Sequence, residues 1–185
     1  MEYPIDTQLE VTVYDGAVTP LLDIHRTGWR TLPFYVLVNL ENVSFRIQRN
    51  GLDYIADDLE SYLIPRDVTH KLTPLDGTNP VSIWCHFNVT LFHSIDFFSF
   101  FEIPRKFSRP LSDDLREKCR ELVTPSSCSP LASLAEKRKL AWEMVWLLLS
   151  GCRERKETAK RLSGLDKLHP ALEYIKKHSG RDFQL

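Results

Sequence analysis

Between Trp29 and Phe87 the chain is cut into runs too short for helices and too apolar for loops: Phe34–Leu40, Val43–Gln48, Leu52–Ile55, Leu59–Pro65, Val68–His70 and Val81–Phe87. They are rich in β-branched and aromatic residues. Asn42, Asn50-Gly51, Asp57-Asp58, Arg66-Asp67 and Asp76-Gly77 separate them. Asn, Asp and Gly adopt positive φ or close side-chain turns readily, so each cluster can reverse an extended chain. Asn50-Gly51 is a hairpin signal. The runs alternate with a period of two, which assigns residues to faces. Phe34, Val36, Val38 and Leu40 share one face, with Tyr35, Leu37 and Asn39 on the other. Val43, Phe45 and Ile47 fall together. In the last run, Val81, Ile83, Cys85 and Phe87 oppose Ser82, Trp84, His86 and Asn88. Both of those faces carry a large aromatic, so periodicity leaves open which one looks inward.

Closely spaced antiparallel strands of this kind favour a closed or nearly closed β-sandwich of the jelly-roll or cupin sort. Leu9–Tyr14 adds a strand expected to end at Asp15-Gly16, and Leu21–Ile24 follows Pro20. Residues 91–107 hold Phe92, Phe97, Phe98, Phe100, Phe101 and Phe107. So many aromatics predict a short element packed against the sandwich.

After residue 108 the pattern turns helical. Ser112, followed by Asp113 and Asp114, reads as an N-cap with acids in the first turn, opening a helix to about Val123. Ser129-Pro130 caps a second helix over Leu131–Cys152. From Leu140 to Leu149 that helix is apolar nearly all round and needs cover on two sides. Arg153–Arg161 reads as a solvated linker or helix end, with a phosphate-contacting patch as its alternative. A last amphipathic helix is expected near Pro170, with Leu168, Leu172 and Ile175 on one stripe.

Twenty-four basic residues against 25 acidic ones leave a net charge of −1, so nothing global draws the chain to nucleic acid or an anionic membrane. The N-terminus has neither a basic nor an apolar signal region, and the Leu140–Leu149 run is too short to span a bilayer; the cytoplasm is the expected location. The cysteines at 85, 119, 128 and 152 form no Cys-x-x-Cys pair and read as small buried hydrophobes. The six histidines stand at 25, 70, 86, 93, 169 and 178 without a His-x-His, so no metal site is expected. No phosphate loop, nucleophile elbow or Cys–His arrangement is visible, and no cofactor is expected.

Three stretches together resemble the AraC/XylS family of bacterial transcription regulators. The first runs from Tyr35–Leu40 through Asn50–Leu59 to Ile64–His70; the second is Ile83–Phe87; the third is Leu168–His178, similar to the first helix of the family's paired helix-turn-helix domain. Glu41-Asn42, Ala56-Asp57-Asp58 and Pro65-Arg66-Asp67 stand where the family has glycine or proline turns. Asn and Asp tolerate positive φ, so the turns are expected to survive. The resemblance implies an α+β chain, a cupin-like (jelly-roll) antiparallel β-barrel followed by a helical dimerisation region. Residues 1–108 would form the barrel with its N-terminal arm, 109–162 the dimerisation helices and linker, and 163–185 the start of a truncated helix-turn-helix domain. The implied role is ligand sensing and dimerisation. A small effector, expected to be a sugar, would be felt by DNA-binding domains beyond this fragment, in a homodimer without membrane contact.

Candidate ligand contacts are Arg30, His70, Ser82, Trp84 and His86. Trp84 offers a flat apolar platform and one N–H donor, with ordinary core packing as its alternative. Arg30 would meet a hydroxyl or carboxylate at the barrel mouth, or form a surface ion pair instead; Arg26 competes for its place. His70 lies at a strand end, as rim residue or ligand contact. Trp142, Trp146 and Leu149 are the candidate dimer interface. The rival reading is a metal-free cupin enzyme, such as a sugar isomerase or epimerase, with His70 and His86 as the acid–base pair. A third is a constitutive dimerisation module with an occluded pocket.

Overall fold

The computed structural model describes residues 9–21, 27–126 and 128–158, and residues 160, 164, 174 and 178 singly. The arm before Leu9, Arg26 and the expected helix around Pro170 lie outside the described residues. Among the described residues the chain is mostly antiparallel β-sheet with two long helices. Strands β1 (Leu9–Pro20), β2 (Tyr35–Arg49), β3 (Leu52–Ala56), β4 (Ser61–Ile64), β5 (His70–Leu91) and β6 (Ile95–Asp96) make one sheet. Its order is β1-β5-β2-β3, with β4 also on β2 and β6 on β5.

Two expected turns are bends within strands. Asn42 lies inside β2, and Asp76-Gly77 inside the 22-residue β5. These long partners run antiparallel along each other, from Tyr35↔Phe87 to Arg49↔His70. The register slips between Glu41 and Val43 and again before Phe45. Asn42 takes φ 60° there. A Cβ on Gly77 would stand 2.3 Å from the Asn42 carbonyl oxygen, so only glycine lets the strands cross this closely. At about 3.3 Å per residue, a straight strand would separate Val36 from Phe45 by roughly 30 Å. Instead they line one cavity. The sheet is folded over on itself. One half holds β1, β4 and the start of β2 beside the end of β5; the other holds β3 and the end of β2 beside the start of β5.

The Asp15-Gly16 turn is also corrected. β1 passes through it with a bulge after Val13 and continues along β5 to Pro20↔Val81. Among the substituted turns, Asn42 and Asp67 do take positive φ, 60° and 58°, while in Asp57-Asp58-Leu59 it is Leu59 that does so, at 61°.

Tyr35, Leu37, Ile83, Cys85, Phe87 and Val89 face outward and are buried under the helices. Helix α1 (Arg109–Val123) sets Leu115, Cys119 and Leu122 on them, and α2 (Pro130–Gly151) adds Ala141, Met144, Val145 and Leu148. The α1 N-cap is Ser108, not Ser112. Ser112 is buried one turn inside, where its Oγ accepts from the Ser61 amide at 3.0 Å. The Ser61 hydroxyl donates to Asn39 Oδ1, and Asn39 Nδ2 donates to the Ile83 carbonyl at 3.1 Å, so a buried polar chain ties α1 through β4 and β2 to β5. Arg120 holds Glu41, at the bend, with 2.7 Å contacts to both carboxylate oxygens.

The phenylalanine-rich stretch is the expected packed element: a 3₁₀ turn (Phe97–Phe100) capped by Asp96, burying Phe98 and Phe100. The following strand β7 (Phe101–Glu102) pairs with β8 (Arg153–Glu154). That pairing attaches the start of the charged run to β7, while Arg153 to Glu157 stay exposed as expected of a solvated stretch. Arg153 pairs with Glu102, and buried Thr158 donates to the Phe100 carbonyl. Among the described residues, no helix is long and apolar enough to cross a membrane.

Candidate functional site

The inward face of the folded sheet is Val36, Val38, Leu40, Val43, Phe45, Ile47, Tyr62, Ile64 and Leu72, with Trp84 packed against them. These residues do not fill the space they enclose. A cavity of about 250 Å³ remains, lined by Thr19, Thr27, Arg30, Phe45, Leu72, Ser82, Trp84 and His86 among others. That is room for several waters, the scale of a one-ring molecule.

Of the five candidate contacts, Arg30, Ser82, Trp84 and His86 share this wall. The last three come from alternate positions of β5, so the polar face is the inward one. Trp84 is held by Thr19: its Nε1–H donates to Thr19 Oγ1 at 3.0 Å. The expected indole donor is thereby spent, leaving the ring face and the Thr19 hydroxyl for a ligand. His86 lies between the Trp84 ring (4.7 Å between centroids) and Phe34 (4.5 Å). Burial, and then the Arg30 charge, hold its pKa below the ordinary imidazole value. Ser82 is a buried residue whose hydroxyl makes no hydrogen bond to the described residues and opens onto the cavity.

His70 is the correction. It is buried but does not line the cavity. Its Nδ1 lies 2.9 Å from the Val68 carbonyl, which can only accept, so Nδ1 carries the proton. Nε2 is then the acceptor for Arg30 Nε–H at 3.2 Å. Both ring nitrogens are engaged within the protein, and the imidazole orients Arg30 from behind. Burial first, then Arg30 and Arg49, lower its pKa against the raising effect of the Val68 carbonyl. Arg30 is placed by strand-like pairing, donating its amide to the His70 carbonyl and accepting the His70 amide. Burial lowers its pKa too.

Two residues were missed. Thr19 gave no sequence signal, because its role depends on β1 continuing past Gly16. Arg49 could have been found by extending the Val43, Phe45, Ile47 face by one more step. It sits opposite His70 in the β2–β5 register, nearly fully buried.

Of the candidate dimer residues, Trp142 and Leu149 pack partly against the core under the helices, while Trp146 is 69% exposed. The four cysteines are free thiols. Among the described residues, no three His, Cys, Asp or Glu side chains are grouped to hold a metal ion.

No protein-family model matches the chain, and no curated protein matches it. Among solved structures it is similar to a putative mannose-6-phosphate isomerase from Ralstonia eutropha JMP134, at 18% identity and a TM-score of 0.28, over 43% of this chain and 69% of that one.

Proposed function

We propose that this chain is the ligand-sensing and dimerising part of an AraC-type regulator, in which a small effector in the folded sheet biases the helices outside it. The observation that carries the reading is the double use of β5. Ser82, Trp84 and His86 line the cavity, while Ile83, Cys85 and Phe87, alternating with them, are packed under α1 and α2. A ligand that moves the inner side chains must move the strand carrying the outer ones. The Asn39–Ser61–Ser112 chain and the Glu41–Arg120 pair give the helices two further holds on the same sheet. Switching such a module from mostly off to mostly on needs a differential affinity of about 5 kcal/mol. Ordering two or three apolar side chains, at roughly 1.5–3 kcal/mol each, is enough.

The surface proposed for a second copy is a stripe of α2. Leu131, Leu134, Trp142, Trp146 and Leu149 recur at helical spacing, and Leu131, Leu134 and Trp146 are exposed. A twofold axis would lay two such stripes antiparallel. Sedimentation of Trp146→Asp is expected to show a lighter species than wild type; equal masses, both dimeric, would exclude this surface.

The rival isomerase or epimerase reading needs His70 and His86 facing each other as acid and base. His70 stands behind Arg30 with both nitrogens engaged, which favours the sensor. Calorimetric titration of wild type and Trp84→Ala against one-ring sugars and sugar derivatives tests the reading. Binding lost in the variant supports it. Binding that Trp84→Ala leaves intact would refute this cavity as the receptor.

A further inference from the structure

Resting on the cavity being a receptor, we infer that its ligand is an anion, a one-ring polyol or similar small molecule bearing a carboxylate, received end-on by the Arg30 guanidinium. Arg30, His70 and Arg49 lie abreast across three neighbouring segments, because His70 pairs with Arg30 on one side and with Arg49 on the other. Directly paired residues of antiparallel segments project to the same face. Two guanidiniums therefore flank one neutral imidazole on the inner side of the sheet. Neither has a carboxylate partner among the described residues.

For Arg30 the free part of the guanidinium is defined. Nε–H is held by His70, which fixes the plane of the group. Neither Nη atom has a hydrogen bond among the described residues, and the side chain lines the cavity. What remains is the two-Nη end of the fork, which matches the two oxygens of a carboxylate. Arg49 is nearly fully buried, with Nε unpartnered among the described residues and one long contact, Nη1 to the Leu63 carbonyl at 3.5 Å. Arg49 does not line the cavity, but a buried cation without counter-charge is costly, so its field favours an anion on the inner side before any direct contact forms.

Carboxylates on the wall would cancel this, and none of the described lining residues carries one. Asp15 lies opposite His86 in register, but it is on the exposed bulge of β1 and accepts the Gly16 amide at 2.8 Å. Opposed to the fork are the Trp84 face and the Ser82 and Thr19 hydroxyls, suited to the C–H and O–H groups of a ring. A phosphate ester would bring more charge and a third oxygen to one two-pronged donor, so the carboxylate is the better match.

The test is calorimetry with glucuronate, galacturonate, shikimate and benzoate, each against its amide, and with glucose 6-phosphate and glucose. Carboxylates are expected to bind about 10- to 100-fold more tightly than their amides. Arg30→Gln is expected to remove that preference, and Arg49→Gln to reduce it. Circular dichroism and thermal unfolding verify that both variants fold. Amides or glucose binding as tightly as the acids, or a preference untouched by Arg30→Gln, would overturn the anion while leaving the receptor intact. Glucose 6-phosphate binding tightest would overturn the carboxylate in favour of phosphate. Loss of all binding in Trp84→Ala together with an acid preference supports both readings; no binding by any probe to wild type would count against both.

Discussion

The two faces of β5 differ by one step along the chain and by almost everything else. Ile83, Cys85 and Phe87 are completely buried in apolar contact with two helices, and Cys85 Sγ lies 3.6 Å from Met144 Sδ. Ser82, Trp84 and His86 stand around a void that the rest of the sheet leaves open. One side is packed and the other borders a cavity. On the proposed reading the outer face supplies stability and the inner face discriminates. Because one backbone carries both, neither can be displaced without the other being disturbed.

The sharpest way to break that comparison is to truncate one aromatic on each face. Phe87→Ala removes a fully buried ring from the outer cluster and is expected to cost about 3–5 kcal/mol in urea unfolding, with an unchanged slope. Trp84→Ala only enlarges a cavity that already exists, so it is expected to cost less despite removing the larger side chain. Equal losses would mean the inner face is as tightly packed as the outer, and the division would fall.

A smaller effect is expected where the two faces are tied together. Asn39→Ala strips the Ile83 carbonyl of its donor and the Ser61 hydroxyl of one acceptor, all in a fully buried place. Leaving such groups unpaired is expected to cost about 1–3 kcal/mol. The same variant should weaken coupling, so that a ligand shifts the fluorescence of α2's Trp146 less than in wild type.

Mild acid is expected to act first on the histidines of the inner face. The folded protein holds His70 and His86 below the ordinary imidazole pKa of 6.5, mainly by burial. A group with a depressed folded pKa leaves stability intact above its unfolded pKa. Below it, the unfolded chain binds protons that the native state refuses. Thermal stability is therefore expected to hold above pH about 6.5 and to fall as the pH drops below it. Protonation of His70 would also remove the acceptor for Arg30 Nε–H. His70→Gln should flatten this acid limb; an identical limb in the variant would show that His70 is not its source.

Much of this arrangement was legible in advance, and its failures share a cause. Alternation put Ser82, Trp84 and His86 on one face, and Asn50-Gly51 forms the expected two-residue hairpin with φ of 42° and 75°. Asn42, Asp15-Gly16 and Asp76-Gly77 carry the same local chemistry as that hairpin, yet the chain runs on through them. A turn and a bulge use the same residues. Which one forms is decided by a partner strand far away in sequence, and here β5 pairs across the bend. The inward side of β5 was equally hidden, since an indole on one face and a phenylalanine on the other give no contrast. His70 was expected to close a short strand from Val68, whereas it opens β5; its two engaged nitrogens depend on Val68 and Arg30, and spacing says nothing of tautomers.

The finest test concerns the smallest group. A buried hydroxyl in a packed core is normally satisfied, and removing it normally exacts a cost. Ser82 is a buried residue, but its hydroxyl makes no hydrogen bond to the described residues and opens onto the cavity instead of being sealed in the core. Ser82→Ala is therefore expected to change stability by no more than about 0.5 kcal/mol. The control is Ser61→Ala, on the packed side, where the hydroxyl reaches both Asn39 and the Ser112 carbonyl. It is the same chemical change one layer away, and urea unfolding should find it the more costly. If Ser82→Ala proves as damaging as Ser61→Ala, the inner hydroxyl is already satisfied within the protein and is not waiting for a ligand.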